Sequence, residues 1–366
     1  MKIDKIQLTH VRVPLVEPFK ISNGIVSEKD GIFVQVYSDG LVGIGEASPM
    51  SGSFYSSDTP ESTWGYLKSV LVPQVKKQQP SSVEEVNGVL NALGGNFYAR
   101  AGVETAFWDL QAQCEGVPLY KTLGGTNNVV ESGLAVGIYP TVQELLAAIE
   151  TYLKEGYKRV KIKIQPGWDI EPLKEIRKTF GGISLMVDAN CGYSPADIDH
   201  LTELDAFDLM MIEQPLAKED LTAHAALQAK MKTPICLDES ATDAETIQRA
   251  ISLGSCKIIN IKIQRAGGLQ QAVAMHDVCA KAGVPVWGGT MPELGIGGAQ
   301  TLHVATLSNF GFPTDVESSR RWFVDDIVEP LIEVHDGTIS IPDGTGNCYQ
   351  LNKTKVRKYL VREEMF

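Results

Sequence analysis

Short apolar runs alternate with amphipathic helical segments through most of the chain after residue 125. Strands that alternate with helices form a parallel sheet with helical crossovers. Seven runs and a weaker eighth one, within about 210 residues, fit a (β/α)-barrel. A doubly wound open sheet would carry a glycine-rich turn after its first strand, and none follows the run at 133–138. The eight runs are Gly133–Ile138, Val160–Ile164, Leu185–Val187, Leu209–Ile212, Ile235–Leu237, Lys257–Ile261, Val284–Trp287 and Phe310–Val316.

The first 125 residues have a different pattern. Runs rich in β-branched and aromatic residues at Ile3–Val13, Gly31–Tyr37 and Leu41–Ala47 predict strands, and residues 60–118 have helical spacing. A chain of 366 residues is long enough for two domains. We therefore predict an α+β domain over residues 1–125, a barrel over 126–335, and a C-terminal segment over 336–366 that returns to the first domain.

Two local patterns predict details of the helices. The residues that would line one buried helix face are Ala101, Ala106, Phe107, Leu110 and Cys114. The segment Thr242-Asp243-Ala244-Glu245 predicts a capping box at the start of a later helix. The first pattern supports the helical spacing of residues 60–118, and the second marks the start of a helix in the alternating region.

The composition is that of a globular protein with an acidic balance. Thirty-three basic and 45 acidic residues give a formal net charge of −12, which disfavours sequence-independent binding to nucleic acid. The six cysteines are scattered and form no Cys-x-x-Cys pair, as in a reduced cytosolic protein. The N-terminal residues lack the apolar core of a signal peptide, and no apolar run is long enough to span a bilayer. We therefore expect a cytoplasmic protein that binds neither nucleic acid nor membrane.

A charged residue stands at the carboxyl end of five successive runs. The five are Lys163, Asp188, Glu213, Asp238 and Lys262, and neighbours in this series are 24 or 25 residues apart. That period is one strand–helix unit, so it carries each side chain to the same height of a barrel, at the C-terminal rim where barrel active sites lie. Any one of these residues could simply turn the chain, cap a helix or be solvated. Five in register are more consistent with one shared site.

The residue types in this series point to a metal-assisted reaction. Three carboxylates from adjacent strands provide only oxygen ligands, which suit Mg²⁺ and also Mn²⁺. Lysines on either side of them could reach opposite faces of a carbon next to a bound carboxylate. Lys161 and Lys163 point to the same side of their strand, where a like charge would lower the pKa of a lysine base. The pattern predicts abstraction of the proton α to a carboxylate, through an enediolate stabilised by the metal ion.

Five sequence segments resemble the enolase superfamily. They are Val-Lys-Ile-Lys-Ile at 160–164, Val-Asp-Ala-Asn at 187–190, Ile-Glu-Gln-Pro at 212–215, Cys-Leu-Asp-Glu-Ser at 236–240 and Asn-Ile-Lys at 260–262. The Lys-x-Lys pair and the lysine of the sixth strand are typical of the muconate-lactonizing subgroup, and the seventh run has no histidine of the mandelate-racemase kind. Within the subgroup, nearly the whole chain is most similar to the o-succinylbenzoate synthases and the N-succinylamino acid (N-acylamino acid) racemases. The resemblance implies an α/β fold, with a modified TIM (β/α)7β-type barrel and an α+β capping domain built from the N-terminal region and the C-terminal tail.

The resemblance also implies roles for individual residues. Lys163 matches the base that removes the α proton, and Lys262 matches its counterpart on the opposite face. The three Mg²⁺ ligands would be Asp188, Glu213 and Asp238, and the supporting residues would be Lys161, Asn190, Glu239 and Arg265. Arg265 could instead be an exposed charge in a loop.

Substrate selection is expected to depend on eight further residues. In this family, two loops that correspond to residues 19–24 and 50–57 close over the substrate, although Phe19 and Tyr55 could equally pack at the interface between the domains. The segment Asp315-Val316-Glu317 resembles the Asp-x-Asp with which dipeptide epimerases hold an ammonium group, unless both carboxylates are only solvated at the rim. The eight residues are Phe19, Ser22, Tyr55, Trp287, Gly289, Glu293, Asp315 and Glu317.

The resemblance implies a lyase, an isomerase or both. The expected activity is o-succinylbenzoate synthesis by dehydration, a step of menaquinone biosynthesis, or racemisation of N-succinylamino acids by 1,1-proton transfer. The alternatives are a dipeptide epimerase or a muconate-type cycloisomerase that uses the same residues. A barrel that only binds a ligand would lack a metal ligand or a lysine, and none is missing. We expect a small carboxylate as substrate and a homo-oligomeric assembly.

Overall fold

The computed structural model of the chain describes residues 2–21, 24–52 and 55–366, so Ser22 lies outside the described residues. The strands are β1 (Ile3–Ile21), β2 (Gly24–Ser38), β3 (Leu41–Ala47), β4 (Val129–Glu131), β5 (Leu134–Val136), β6 (Val160–Lys163), β7 (Leu185–Asp188), β8 (Ile212–Glu213), β9 (Ile235–Leu237), β10 (Ile258–Ile261), β11 (Val286–Gly288), β12 (Val328–Glu329), β13 (Thr338–Ser340), β14 (Gln350–Leu351) and β15 (Leu360–Met365).

The helices are mostly short, apart from one long helix in the first domain. They are α1 (Pro60–Tyr66), α2 (Val72–Gln78), α3 (Val83–Leu93), α4 (Phe97–Glu115), α5 (Leu119–Thr122), α6 (Val142–Lys154), α7 (Ile170–Phe180), α8 (Ile198–Thr202), α9 (Leu221–Lys230), α10 (Ala244–Leu253), α11 (Ile263–Ala266), α12 (Leu269–Ala282), α13 (Gly295–Val304), α14 (Ser319–Trp322) and α15 (Lys353–Lys358). A π-helical segment, Leu67–Leu71, joins α1 to α2. Within the described ranges, no helix is long and apolar enough to cross a bilayer.

The first three strands and the last strand form one antiparallel sheet. Its order is β15–β1–β2–β3, so the end of the chain pairs with its beginning. A two-residue turn joins β2 to β3 through Asp39 and Gly40, both with positive φ, a conformation that Asp-Gly pairs favour. β1 is longer than the predicted run, and its register with β2 shifts between Pro14 and Phe19. Proline has no N–H to donate to the ladder, so a shift near Pro14 is expected.

Helices α1 to α4 cover one face of this sheet. The buried residues between helices and sheet include Leu8, Val34, Leu67, Leu90 and Phe107. The predicted face of α4 is buried as far as Leu110, but Cys114 in the last turn is exposed. Helical spacing predicts which side of a helix is apolar, whereas the extent of burial depends on how far the packed neighbours reach along that side.

Seven parallel strands, β5 to β11, form the barrel wall in chain order, and each overlaps one of the seven predicted runs. The eighth run makes isolated bridges in place of a continuous ladder, and one of them joins Thr314 to Ser132. The Asp315 N–H donates to the Gly288 carbonyl at 2.9 Å. These contacts close the gap between β11 and β5. The predicted barrel fold with a capping domain is confirmed.

The helix after β9 begins one residue later than predicted. Asp243, rather than Thr242, is the N-cap of α10, and its side chain accepts a hydrogen bond from the Thr246 N–H. A carboxylate interacts favourably with the positive end of a helix as well as accepting the hydrogen bond, so Asp243 is the stronger cap.

The C-terminal segment pairs with both parts of the molecule. β13 forms an antiparallel pair with β4, and β15 forms one with β1. The last strand therefore adds to the sheet of the first domain, while β13 lies beside the start of the barrel. The boundaries at residues 125 and 335 stay predictions.

A small apolar cluster fills the barrel just beneath its C-terminal rim. Its members are Met186, Met211, Cys236, Ile258 and Trp287, all at most 3% exposed. The first three stand two residues before Asp188, Glu213 and Asp238, on the same side of their strands. The polar side chains of the rim therefore rest on a packed apolar floor.

Candidate active site

The register of the sheet brings the five charged rim residues to one level. Lys163 of β6 stands opposite Asp188 of β7, and Asp188 stands opposite Glu213 of β8. Asp238 directly follows β9, and Lys262 directly follows β10. All five residues are at most 7% exposed. The structure thus gathers in one place the residues that recur every 24 or 25 positions in the sequence.

Ion pairs link the two lysines of β6 to carboxylates on neighbouring strands. Lys163 Nζ lies 2.6 Å from Asp188 Oδ2. Lys161 Nζ lies 3.1 Å from Asp188 Oδ2, 2.7 Å from Glu213 Oε2 and 3.0 Å from Asp315 Oδ2. Both inward-pointing lysines therefore have the anionic partners that buried lysines require.

On the other side of the carboxylates, Asp238 has two cationic partners. Lys262 Nζ lies 3.0 Å from Asp238 Oδ2, and Arg265 binds the other oxygen, Oδ1. The Arg265 side chain is only 11% exposed, so it belongs to the site and is not an exposed loop charge. The Tyr55 hydroxyl accepts hydrogen bonds from Arg265, at 2.6 Å, and from Lys262, at 3.4 Å. Tyr55 thereby connects the first domain to the barrel rim.

The close packing of charges shifts the pKa values of the buried groups. Burial lowers the pKa of Lys161, but attraction to Asp315 and Glu213 outweighs it and raises the pKa well above the usual value. Burial also lowers the pKa of Lys262, and attraction to Asp238 again reverses the shift and raises it. Burial raises the pKa of Glu213 to about 8. Lys161 is therefore held as an ammonium group among carboxylates.

Asn190 and Glu239 form a hydrogen-bonded pair beside the rim carboxylates. Asn190 Nδ2 donates to Glu239 Oε1 at 3.0 Å, and the Asn190 backbone N–H donates to Asp188 Oδ1 at 2.9 Å. Asn190 has a φ of 43°, a left-handed conformation that asparagine adopts more readily than most residues. Burial raises the pKa of Glu239 to about 7. The turn after β7 therefore orients Asp188 and holds the Glu239 carboxyl group beside it.

Three residues predicted to select the substrate have different environments. The ring of Phe19 packs edge-on against Trp322, with 4.9 Å between centroids, so Phe19 contacts the barrel at the domain interface. Trp287 is fully buried in the floor of the site. Gly289 lies against Asn260, where a Cβ would be 2.3 Å from Asn260 Oδ1. Gly289 thus leaves room for a side chain of the neighbouring strand.

The acidic residues in the same predicted group are all buried. Glu293 accepts a backbone hydrogen bond within the loop after β11. Glu317 Oε1 accepts a hydrogen bond from the Ala135 N–H at 2.8 Å, and its Oε2 lies 3.6 Å from Arg321 Nε. Asp315 and Glu317 are 5% and 4% exposed. Simple solvation at the rim is therefore not their role.

Two side chains contact the site although their spacing along the chain did not mark them. Asn260 Nδ2 donates to Glu213 Oε1 at 2.8 Å, and Arg159 Nη2 donates to Asp315 Oδ1 at 2.8 Å. Asn260 stands two residues before the rim lysine of β10, and Arg159 stands two before Lys161. Residues two apart on a strand share a face, and this rule would have found both.

The rim carboxylates are chemically suited to a hard divalent cation. Asp188, Glu213 and Asp238 offer only oxygen atoms, which Mg²⁺ prefers. Among the described residues, Glu239 Oε2 is buried and receives no hydrogen bond, whereas Glu213 Oε2 is buried with the Lys161 ammonium 2.7 Å away but no hydrogen bond of good geometry. Ammonium groups lie between the carboxylates. Within residues 2–21, 24–52 and 55–366, no three Asp, Glu, His or Cys side chains are arranged so that they could hold a metal ion as they stand. A cation would therefore take the place of these ammonium groups.

Comparisons with known proteins agree with this geometry. Residues 3–124 match the N-terminal domain of mandelate racemase / muconate lactonizing enzyme, and residues 144–355 match the enolase C-terminal domain-like family. The chain is 43% identical to the o-succinylbenzoate synthase of Geobacillus kaustophilus, over 100% of the chain and 98% of that protein. It is 40% identical to the N-succinylamino acid racemase of Thermus thermophilus, over 94% of both.

A solved structure extends the match to three dimensions. The crystal structure of an enolase superfamily member from Listeria innocua has a TM-score of 0.95 and 36% identity to the chain, and the match covers 100% of this chain and 99% of the other. The resemblance seen in the sequence motifs is thereby confirmed. The chain belongs to the enolase superfamily, as an enzyme with the two domains of the mandelate racemase and muconate lactonizing enzyme family.

Proposed function

We propose that the chain removes the proton α to a carboxylate, as the first step of o-succinylbenzoate synthesis, of N-succinylamino acid racemisation, or of both. The observation that carries this proposal is the strand order, in which carboxylates on three adjacent strands are flanked by lysines at the ends of β6 and β10. Relatives named for both activities match the chain over most of its length. The site and the relatives therefore support the same chemistry.

Asp188, Glu213 and Asp238 would hold Mg²⁺, or Mn²⁺ in its place. When bound, the ion supplies a Lewis acid that draws charge from the substrate carboxylate and so makes its α proton acidic. The hydrogen bond from Asn260 orients Glu213, and the backbone N–H of Asn190 orients Asp188. Contacts of this kind fix the direction of ligand oxygens and strengthen metal sites.

The two rim lysines would act on opposite faces of the same carbon. Lys163 would accept the α proton, which leaves an enediolate anion. In racemisation, Lys262 donates a proton to the other face and so inverts the carbon. In dehydration, the bond between the β carbon and its hydroxyl group would break instead, and the Lys163 ammonium would return the proton to the departing oxygen so that water leaves. Lys262 would remain an ammonium group that attracts the anion. Both lysines are largely buried, 7% and 5% exposed, so each is held beside the proposed cation ligands.

Both activities begin with the same proton abstraction, so these residues support them equally. A synthase activity would give the protein a place in menaquinone biosynthesis, whereas racemase activity would act on N-succinylamino acids. The expected substrate in either case is a small carboxylate. The homo-oligomeric assembly and the cytoplasmic location stay predictions from the sequence.

Proton NMR in D₂O with Mg²⁺ tests the shared step. The protein is incubated separately with N-succinylamino acids, with dipeptides and with the menaquinone-pathway precursor of o-succinylbenzoate. We expect deuterium at the α carbon of the N-succinylamino acids, or o-succinylbenzoate from the precursor, and no reaction with dipeptides. EDTA should stop the reaction and Mg²⁺ should restore it, because the enediolate is too unstable without the cation. Turnover that is insensitive to EDTA would contradict the scheme.

Variants of the two rim lysines assign the faces. Lys163→Ala should slow exchange of one enantiomer at least a hundredfold, the usual size of a general-base contribution. Lys262→Ala should block racemisation, while the enantiomer whose α proton faces Lys163, the one slowed in Lys163→Ala, still exchanges. The matched control is Lys158→Ala, since Lys158 is exposed just before β6, and it should behave as wild type. Undiminished exchange of both enantiomers in Lys163→Ala would refute the base assignment.

A further inference from the structure

A second polar cluster lies beneath the rim, formed by Arg159, Lys161, Trp287 and Asp315, all at most 5% exposed. Asp315 Oδ1 accepts a hydrogen bond from Arg159 Nη2 at 2.8 Å, and its Oδ2 accepts one from Lys161 Nζ at 3.0 Å. The Trp287 ring contacts both cations, with 5.1 Å from its centroid to Arg159 Cζ and 4.9 Å to Lys161 Nζ. One carboxylate and one aromatic ring therefore hold two buried cations side by side. We call this group the Asp315 cluster.

The carboxylate of the Asp315 cluster is fixed in position. The Asp315 backbone N–H donates to the Gly288 carbonyl at 2.9 Å. Arg159 Nη2 also donates to the Pro313 carbonyl, at 2.9 Å, so the guanidinium is tied to the same segment that it orients. A planar guanidinium holds a carboxylate in one orientation better than a flexible ammonium does. Asp315 is thus an anchor for Lys161, which has the more flexible side chain.

Lys161 shares its other two partners with the proposed metal site. Its ammonium group lies 2.7 to 3.1 Å from oxygens of Asp188, Glu213 and Asp315. The first two are proposed cation ligands, and an ammonium so close to them would repel a divalent cation strongly in a buried site. Asp315 is not in the proposed ligand set. It is therefore the partner that Lys161 can keep when a cation binds.

We propose that Asp315 is a positioning residue that draws the Lys161 ammonium away from Asp188 and Glu213, so that these carboxylates become available to a divalent cation. This inference rests on the proposed function, because it assumes the metal site. It also gives Asp315 a role different from the ammonium binding of dipeptide epimerases. Both carboxylate oxygens of Asp315 already accept hydrogen bonds from cations of the chain itself.

A double-mutant cycle on Mn²⁺ affinity tests whether Asp315 acts through Lys161. Calorimetry on the full-length protein without substrate makes binding, rather than turnover, the readout. In Asp315→Asn, the ammonium has only Asp188 and Glu213 as anionic partners, so it competes with Mn²⁺, and we expect at least tenfold weaker binding. In a Lys161→Met background there is no competing ammonium. Adding Asp315→Asn to that background should change the affinity less than twofold.

The matched control is Glu317→Gln. Glu317 is as buried as Asp315 but contacts Ala135 and Arg321 instead of Lys161, so its variant should bind Mn²⁺ within twofold of wild type. If Asp315→Asn does not fold, Arg159→Lys can replace it, because lysine orients the Asp315 carboxylate less firmly than arginine does. Arg159→Lys should weaken Mn²⁺ binding two- to fivefold, again only when Lys161 is present.

Three results would overturn the inference. An equal loss of affinity from Asp315→Asn in the Lys161→Met background would show that Asp315 acts on the cation directly. Unchanged Mn²⁺ affinity in Asp315→Asn, with selective loss of dipeptide binding, would favour ammonium recognition. If the wild-type protein binds no divalent cation, both the proposed function and the inference fail. If it binds the cation but the effect of Asp315→Asn does not depend on Lys161, only the inference fails.

Discussion

At the residue scale, the two rim lysines are held differently, and the difference matches their proposed roles. Lys163 has one carboxylate partner, Asp188, which a bound cation would engage. Lys262 shares Asp238 with Arg265 and also contacts the Tyr55 hydroxyl. A cation at Asp188 would free Lys163 to approach the substrate. Lys262 would still have the Tyr55 hydroxyl as a partner when the cation engages Asp238, which suits a group that stabilises an anion by its charge.

Asn260 gives a test of how strongly the site depends on a buried hydrogen bond. Asn260 and Glu213 are fully buried, and Nδ2 lies 2.8 Å from Glu213 Oε1. Asn260→Ala should weaken Mn²⁺ or Mg²⁺ binding about 10- to 100-fold, as for other residues that orient a metal ligand. Calorimetric titration measures the effect. Asn91→Ala, at an exposed position of α3, is the control, and equal affinities in the two variants would contradict the role of Asn260.

The residue scale also shows what a sequence can and cannot predict about the site. Lys163 and Lys262 could be predicted because a constant period along the chain becomes a constant height in a barrel. Tyr55 contacts Lys262 across 207 positions of sequence, and no periodic pattern connects them. The partners of Asp315 likewise depend on how the eighth run closes the barrel. Contacts of this kind depend on packing between distant segments, so they could be identified only from the structure.

At the scale of elements, the contact between β3 and α4 is made possible by glycine. A Cβ on Gly43 would lie 2.1 Å from the Ala106 carbonyl oxygen, and one on Gly45 would lie 2.1 Å from the Gly102 carbonyl oxygen. Real Cβ atoms do not approach backbone this closely, so helix and strand would have to separate. This contact positions the helical layer of the capping domain on its sheet.

Gly43→Ala should therefore destabilise the protein, whereas alanine at an open helical glycine should not. We expect Gly43→Ala to lower the free energy of unfolding by about 3 kcal/mol, at the upper end of the usual overpacking cost because the clash is with backbone. Gly88 is exposed within α3 and nothing lies near its Cβ position, so Gly88→Ala should stabilise by about 1 kcal/mol. Urea unfolding of both variants checks the contrast, and equal stabilities would refute the packing argument.

The elements themselves were predictable to different degrees. The central strands β6, β9 and β10 fall within predicted runs because strands of a parallel sheet are buried on both faces and read as continuous apolar segments. The eighth run is polar where it closes the barrel, so its bridges could not be distinguished from a loop. The extension of β1 to Ile21 was also missed, because Pro14 interrupts the strand pattern.

At the scale of the whole molecule, His303 connects three parts of the chain. It lies in α13 and is fully buried. Its Nδ1 accepts a hydrogen bond from the Tyr120 N–H at 3.1 Å, and its Nε2 lies 2.9 Å from the Asn347 carbonyl oxygen, to which it donates. One ring nitrogen accepts and the other donates, so the imidazole is neutral. The ring thereby joins a barrel helix to α5 and to the C-terminal segment.

This neutral, buried ring predicts that acid weakens the folded protein. Burial lowers the pKa of His303 from 6.5 to about 4. Between these values the unfolded chain binds a proton that the folded protein does not, so stability is fully present above pH 6.5 and falls as the pH drops towards 4. Between pH 7.5 and pH 5.0, protonation of this ring alone should lower the free energy of unfolding by about 2 kcal/mol. Urea unfolding at the two pH values measures the loss.

Other acidic groups also titrate in this range, so the comparison with His303→Gln isolates the ring. Glutamine can preserve a donor and an acceptor but takes up no proton, so the variant is expected to lose about 2 kcal/mol less than wild type between the two pH values. The matched control is His335→Gln, because the His335 ring is 79% exposed. This variant should show the same pH dependence of stability as wild type. If His303→Gln and wild type lose the same stability on acidification, the ring is not the buried neutral group that links the barrel to the C-terminal segment.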